Sequence, residues 1–471
     1  MLFNSLIFFV FAALFYCGWR FANRKKNTRW AYLTGASLFF YGWWDWRFIA
    51  LILASGLLDF FTALAMEKSP ARKKMFLGLS LFGNLGSLAA FKYSGFFAEN
   101  LDWLGQAIGL HLNIQAQIPS ALLILPVGIS FYTFQSMSYT IDVYRGQLSP
   151  TKNILHFFAY LSMFPQLVAG PIVRAKDILN QLTEVHRVSE QDRWDGTRLI
   201  LGGYFKKVVL ADNLAHVVEQ AFSATTLSNS SLYWWAIAFA FAVQIYCDFS
   251  GYSDIARGLA RWMGYRFKLN FNHPYIATSI RDFWTRWHIS LSTWFRDYVY
   301  IPLGGSKRGV FRSHVNMWLT MLISGLWHGA AWTFVIWGAL HAAYLTLERL
   351  THWPEKLSRV KTGQWLCRGF VLVQVCIAWV FFRAADAEQA LSIIRRMFAG
   401  DFLQSPNLGF DMSVYLLLFI AWEIGHRRLL QTFRSLPTQW SRPIEIFSYS
   451  VLLTASVFLR GPGAEFIYFQ F

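Results

Sequence analysis

The sequence predicts an all-α polytopic integral membrane protein, and three observations carry that prediction. Of 471 residues, 55% are hydrophobic and only 15% are charged, whereas an average soluble domain carries about 25% charged residues. The mean hydropathy is +0.33, and the apolar residues come in blocks near the roughly 20 residues that a helix needs to cross about 30 Å of hydrocarbon. Short basic clusters separate several of those blocks, the pattern of cytoplasmic loops that gather Lys and Arg. Disordered, collagenous and disulfide-scaffolded classes are excluded by the composition.

Taken in order, the first block covers 2–22. It has no basic leader and no small-residue cleavage site before Arg20, so it reads as a retained span rather than a signal peptide. Blocks at 30–45, 48–66 and 75–97 follow, with Arg24-Lys25-Lys26 and the run KSPARKK (68–74) in the intervening loops. The stretch 98–119 holds no Lys or Arg. Basic loops inside and 98–119 outside put the N-terminus outside. Blocks at 120–141, 154–172 and 196–218 are interrupted by Gly or Pro, so re-entrant or interfacial segments are expected among them. Then come 231–256, a long apolar stretch at 315–348, and blocks at 365–384, 411–426 and 444–460, giving about ten to twelve membrane segments. The basic run from His426-Arg427-Arg428 to Arg442 is expected in the cytoplasm and the C-terminus outside. No internal repeat or linker sets off a second domain, so 1–471 reads as one domain.

The charge, 43 basic minus 26 acidic residues or +17, would suggest nucleic acid in a soluble protein. Here the positive-inside bias accounts for it, and no nucleic-acid partner is expected. Cys17, Cys247, Cys367 and Cys376 form no CxxC pair and read as packing residues, with no metal site. Residues 261–312 hold nine basic side chains, among them Arg286 and Arg296, against two acids, interleaved with Trp284, Trp287, Trp294, Phe295, Tyr298 and Tyr300. Such interleaving suits helices at the cytoplasmic interface, rings at the headgroups and cations toward phosphate.

Three places could carry chemistry, because an ionisable group in an apolar span is costly to bury. His328 follows Trp327 near the middle of the 315–348 stretch, flanked by Gly325 and Gly329. A neutral imidazole there can take a proton from a hydroxyl and return it to a leaving group; the plainer reading is a structural histidine bonded to a neighbouring helix. His288 follows Trp287 among cations that favour its neutral form. It would orient a carbonyl or hold an anionic donor, or else be an ordinary interfacial residue. Asp248 and Asp254 end an apolar block beside hydroxyls and Gly251; pairing with arginines of 261–312 is the leading expectation, with substrate contact behind it. His341 and His352 read as packed or exposed. There is no Gly-Lys dipeptide, no HExxH, no His with an Asp five residues later and no Gly-x-Ser-x-Gly, which excludes a P-loop, a zinc-protease helix and a serine-hydrolase elbow.

Two Trp-His pairs, Trp287-His288 and Trp327-His328, flank RDYVYIPLGG (296–305). With GISFYTFQ (128–135), DVYRG (142–146), FPQLVAGPIVR (164–174), FFRA (381–384) and the terminal FIYFQF (466–471), this resembles the membrane-bound O-acyltransferase family. The likeness is to its bacterial polysaccharide branch, which serves alginate and cellulose acetylation and teichoic acid D-alanylation. The resemblance implies a ring of tilted transmembrane, re-entrant and interfacial helices around a central funnel in the bacterial inner membrane. It implies that His328 is the catalytic residue and that His288 lies in the same funnel, with Trp327, Asp248, Arg286 and Arg296 as substrate-contacting candidates. It further implies an acyl thioester entering from the cytoplasm, with acetyl-CoA expected as donor substrate and no bound cofactor. The partners implied are an exported polysaccharide such as alginate and periplasmic acetyltransferase or relay proteins, beside the lipid bilayer itself. No covalent nucleophile is evident beside His328 in the sequence, so direct transfer to an acceptor hydroxyl is expected. Rival readings are the same transfer to another glycan, a lipid or a protein; a transporter, since intramembrane His and Asp also mark ion paths; and a structural subunit of an export complex.

Overall fold

The computed structural model describes residues 1–168, 170–184, 187–400, 410–435 and 438–469. Ala169 of the FPQLVAGPIVR motif, Gln470 and Phe471 therefore lie outside the described residues, as do the side chains of the basic run 426–441. All regular structure among the described residues is helical. Among the described residues, four helices are long and apolar enough to cross a membrane, Trp46–Lys68, Pro70–Ala107, Ser231–Trp262 and Lys361–Arg383, and Leu6–Ala22 is a shorter apolar one. Of the other expected blocks, 120–141, 154–172 and 315–348 are realised as shorter or broken helices with a visible local cause, whereas 411–426 and 444–460 fall in the helices Phe410–Ser435 and Thr438–Phe458. The 120–141 block is α-helical only from Ile129, in a helix running to Tyr144, because Gly128 adopts a left-handed conformation (φ 75°). Its backbone lies against Leu167, whose carbonyl oxygen would sit 2.7 Å from any added Cβ. The 154–172 block divides into Ile154–Leu161 and Phe164–Leu167, with Pro165 in the first turn of the second piece.

Contacts divide the chain into two compact units, residues 1–196 with 256–268 and residues 197–255 with 269–471. In the first unit, Leu6–Ala22 starts at Ser5, whose hydroxyl caps the Phe8 N–H. Its phenylalanines Phe8, Phe11 and Phe15 surround Phe164 with Phe40. Helices Ile49–Lys68, Lys73–Leu88 and Ile129–Tyr144 enclose the fully buried Asp59. Its carboxylate accepts from Ser80 Oγ at 2.5 Å, from Asn84 Nδ2 at 2.9 and 3.0 Å, and from Ser136 Oγ. Hydrogen bonds of this kind tie helices together where burial of apolar surface no longer discriminates between helix and lipid.

The second unit is built along residues 231–255 of the 32-residue helix Ser231–Trp262, whose most apolar window is 72% buried in protein, against 17% for that of Pro70–Ala107. Ser231–Trp262 is thus a core helix and Pro70–Ala107 a lipid-facing one. The expected single stretch 315–348 is corrected by the structure to two helices, Val310–His328 and Trp332–Thr351, broken at an extended Gly329 (φ −159°, ψ 152°). They pack so closely that a Cβ on Gly325 would lie 2.2 Å from the Phe334 carbonyl oxygen, and one on Gly338 2.5 Å from that of Met321. Small residues permit this approach. Consequently His328 ends a helix at a hairpin corner instead of lying in mid-helix.

Candidate functional site

His288 sits in the loop region before the short helix Ile289–Phe295, in a left-handed conformation (φ 41°, ψ 54°) that non-glycine residues seldom adopt. Asn270 holds it there. The Ile289 N–H donates to the Asn270 carbonyl (2.8 Å), and the Ser290 N–H donates to Asn270 Oδ1 (3.1 Å). A backbone N–H only donates, so that contact fixes the amide with its oxygen toward His288. Asn270 Nδ2 in turn donates to Ser253 Oγ at 3.1 Å. His288 Nδ1 faces the same Oδ1 at 3.3 Å and Ser290 Oγ at 3.4 Å; with the hydrogen on Nδ1 toward Oδ1, the ring keeps its lone pair on Nε2. That nitrogen has no hydrogen-bond partner among the described residues. The side chain is wholly buried, and burial pushes its pKa from the usual 6.5 down to about 3. It is a neutral base, and the cause is desolvation rather than the neighbouring cations that the sequence suggested.

Trp327 and Tyr468 join the two histidines. The Trp327 ring lies 6.2 Å from His288 and 4.9 Å from His328, centroid to centroid. Tyr468 lies 6.4 Å from His288, 5.6 Å from His328 and 6.3 Å from Trp327. Around them stand Phe249, 4.6 Å from His288, and Trp337 and Phe382, 4.9 and 5.2 Å from His328. Both Trp-His pairs thus meet at one aromatic-walled centre in a single unit, where exclusion of water strengthens every charge interaction. His341 is packed among Phe283, Trp284 and Trp337, as a packing residue would be.

Of the other expected site residues, Trp327 belongs to this centre and three do not. Asp248 is buried, but its partner is Lys207 (2.7 Å) instead of an arginine of 261–312, and its second oxygen accepts the Ile467 N–H at 2.8 Å. Both its carboxylate oxygens are thus engaged within the protein. Arg286 pairs with Asp282, one helical turn away, and the exposed Arg296 with Asp297, each at 2.7 Å; no described contact joins either to His288 or His328. The exposed cations without an ion pair among the described residues in that segment include Lys307, Arg308 and Arg312. Tyr468 is the residue that sequence reasoning missed. Its phenol-bearing ring lies beside His328, where the sequence offered no evident nucleophile. Only its place in FIYFQF singled it out in the sequence.

Known proteins resemble this chain over most of its length. Residues 143–385, which include both histidines, match the membrane-bound O-acyltransferase family. The chain is 36% identical to a Pseudomonas putida protein named "Probable alginate O-acetylase AlgI", with all of both chains aligned. It is 39% identical to a Pseudomonas aeruginosa protein of the same name over 85% of this chain and 75% of that one. A Helicobacter pylori "Peptidoglycan O-acetyltransferase" is 34% identical over 88% of this chain and 83% of the relative. The chain belongs to the membrane-bound O-acyltransferase family, and it is an O-acyltransferase embedded in a membrane.

Proposed function

We propose that this protein takes an acetyl group from acetyl-CoA on the cytoplasmic side of the inner membrane and delivers it for O-acetylation of an exported polysaccharide of the alginate kind. The observation that carries the reading is the meeting of His288, Trp327, His328 and Tyr468 in one buried aromatic centre. In the reaction, His328 takes the proton of an acceptor hydroxyl. The hydroxyl oxygen attacks the thioester carbonyl, the C–O bond forms, the C–S bond breaks, and the proton passes to the departing thiolate. His288, held neutral by burial and with Nε2 unpartnered among the described residues, accepts a hydrogen bond within the centre. Exposed cations such as Lys307, Arg308 and Arg312 attract the phosphates of the donor. The relatives' names, two for alginate and one for peptidoglycan, favour a glycan as the final acceptor, reached directly or through a periplasmic acetyltransferase or relay protein.

A second reading is favoured by Tyr468. Its ring lies beside His328, and in this reading the phenolic oxygen attacks the thioester carbonyl while His328 takes its proton and passes it to the departing thiolate; the aryl ester then yields the acetyl to a sugar or relay hydroxyl with tyrosine as leaving group. One experiment tests both. The O-acetyl content of exported polysaccharide is measured in a deletion strain carrying wild type, His328→Ala or Tyr468→Phe at equal membrane abundance. Restoration by wild type alone supports the relay. Restoration by wild type and Tyr468→Phe supports direct transfer, and restoration by His328→Ala refutes the site. Mass analysis of the C-terminal peptide after one turnover with labelled acetyl-CoA reads the Tyr468 ester directly.

A further inference from the structure

After the helix Thr438–Phe458 the chain has only a short turn, Ile467–Phe469, yet Phe466 and Ile467 are each 1% exposed. What holds this tail is polar. The Gly461 N–H donates to the Val208 carbonyl (2.9 Å), Lys207 Nζ donates to the Ala464 carbonyl (3.1 Å), and the Ile467 N–H donates to Asp248 Oδ2 (2.8 Å). Lys207 also pairs with Asp248 Oδ1 at 2.7 Å and Asp212 Oδ1 at 2.8 Å. At Gly461 the tail lies flat against the chain, where a Cβ would be 2.7 Å from the backbone nitrogen of Asn213.

The clasp depends on local backbone form. Phe205–Ala211 is π-helical, and a wider turn changes which consecutive side chains share a face. Lys206 and Lys207 both reach the helix Ser231–Trp262, Lys206 at Asp254 (2.7 Å) and Lys207 at Asp248. Gly203 and Gly251 bring the two backbones together, each lacking room for a Cβ by virtue of the other's carbonyl (2.6 and 2.7 Å). Buried charges with this many partners are costly to assemble and are retained where they specify one arrangement. Here the arrangement specified is the register of the tail. Phe466 packs on Tyr252 (5.0 Å) and Phe249 (5.7 Å), and two residues on Tyr468 reaches His328.

We propose that Lys207 and Asp248 are positioning residues of the acyl transfer, a buried clasp that holds the C-terminal tail so that Tyr468 stays against His328 and His288. This rests on the two-histidine reading of the site; it is independent of whether Tyr468 carries the acyl group or only walls the site. The family match, residues 143–385, includes Lys207 and Asp248 but not the tail they hold.

The test uses full-length protein in detergent, with the exposed Cys17 changed to Ser and Ile467→Cys as a reporter. Maleimide labelling of the reporter is expected to be slow with the clasp intact and about tenfold faster with Asp248→Ala or Lys207→Met, as local opening sets accessibility. His328→Ala leaves it slow. In the same variants without the reporter, kcat for labelled acetyl transfer falls about a hundredfold while KM for acetyl-CoA stays within about twofold, the signature of misplacement rather than lost donor binding. Gly461→Ala, which lifts the tail but leaves the Lys207–Asp248 pair in place, should reproduce both effects and serves if the charge variants do not fold. A tail thiol that stays protected in folded Asp248→Ala and Gly461→Ala overturns the proposal, as does an exposed tail with undiminished kcat. Full activity of His328→Ala would instead overturn the site reading, with the labelling result still reporting on the clasp.

Discussion

Replacing Gly325 by alanine probes how His328 is placed. The new Cβ would lie 2.2 Å from the carbonyl oxygen of Phe334. That neighbour is backbone and cannot swing aside, so reaching ordinary contact requires the helices Val310–His328 and Trp332–Thr351 to part by about 1 Å. Overpacking of this kind costs about 1–3 kcal/mol. The same displacement carries His328, three residues on, away from Trp337 on the facing helix and from Tyr468, and a misplacement of about 1 Å at a catalytic group costs about a hundredfold in rate. Gly338→Ala, 2.5 Å from the Met321 carbonyl, strains the same crossing, so the double variant should lose less than the sum. Gly86 is the control: it is exposed on a helix with nothing within 4 Å of its would-be Cβ, and alanine there should stabilise by up to about 1 kcal/mol. The assay is thermal unfolding in detergent together with transfer of labelled acetyl from acetyl-CoA by membrane vesicles. A Gly325→Ala protein with wild-type midpoint and rate would show that the glycine crossing does not place His328.

Three further outcomes are expected. His288→Asn, which keeps a residue tolerant of the left-handed backbone, should lower transfer about a hundredfold with little change in thermal midpoint; equal loss of both would assign His288 to packing. Because folded His288 refuses a proton down to about pH 3 while the unfolded one accepts it near 6.5, stability rises with pH across that window. Between pH 6.5 and 5 its burial removes about 2 kcal/mol, so the midpoint should fall on acidification, and less steeply in His288→Asn; identical slopes would contradict the assigned burial. Asp59→Ala removes the carboxylate that accepts from Ser80, Asn84 and Ser136 and should destabilise by about 3 kcal/mol, read as a lowered midpoint, whereas Asp59→Asn, retaining one acceptor oxygen, should lose less.

Much of this protein was legible from the residues alone, where the signal is local. Composition and apolar run length specify a helical membrane protein, because lipid satisfies no backbone hydrogen bond and the helix satisfies its own. The Trp-His pairs are short motifs, so Trp287-His288 and Trp327-His328 could be picked out before any fold was known. Local signals failed at the breaks. The stretch 315–348 is continuously apolar, and nothing in its hydropathy marks the hairpin corner at Gly329. That break comes from the close crossing at Gly325 and Gly338, a property of two helices rather than of either. Partner choice was equally hidden: Asp248 was expected to find an arginine nearby in sequence, but Lys207, presented by a π-helical turn, reaches it instead. Tyr468 joins His328 from the far end of the chain because the Lys207–Asp248 pair and a backbone hydrogen bond hold the tail there. Sequence determines which residues resist water and which carry a proton. Tertiary structure decides which of them meet, because a buried charge takes the partner that packing brings within about 3 Å, whatever its separation along the chain.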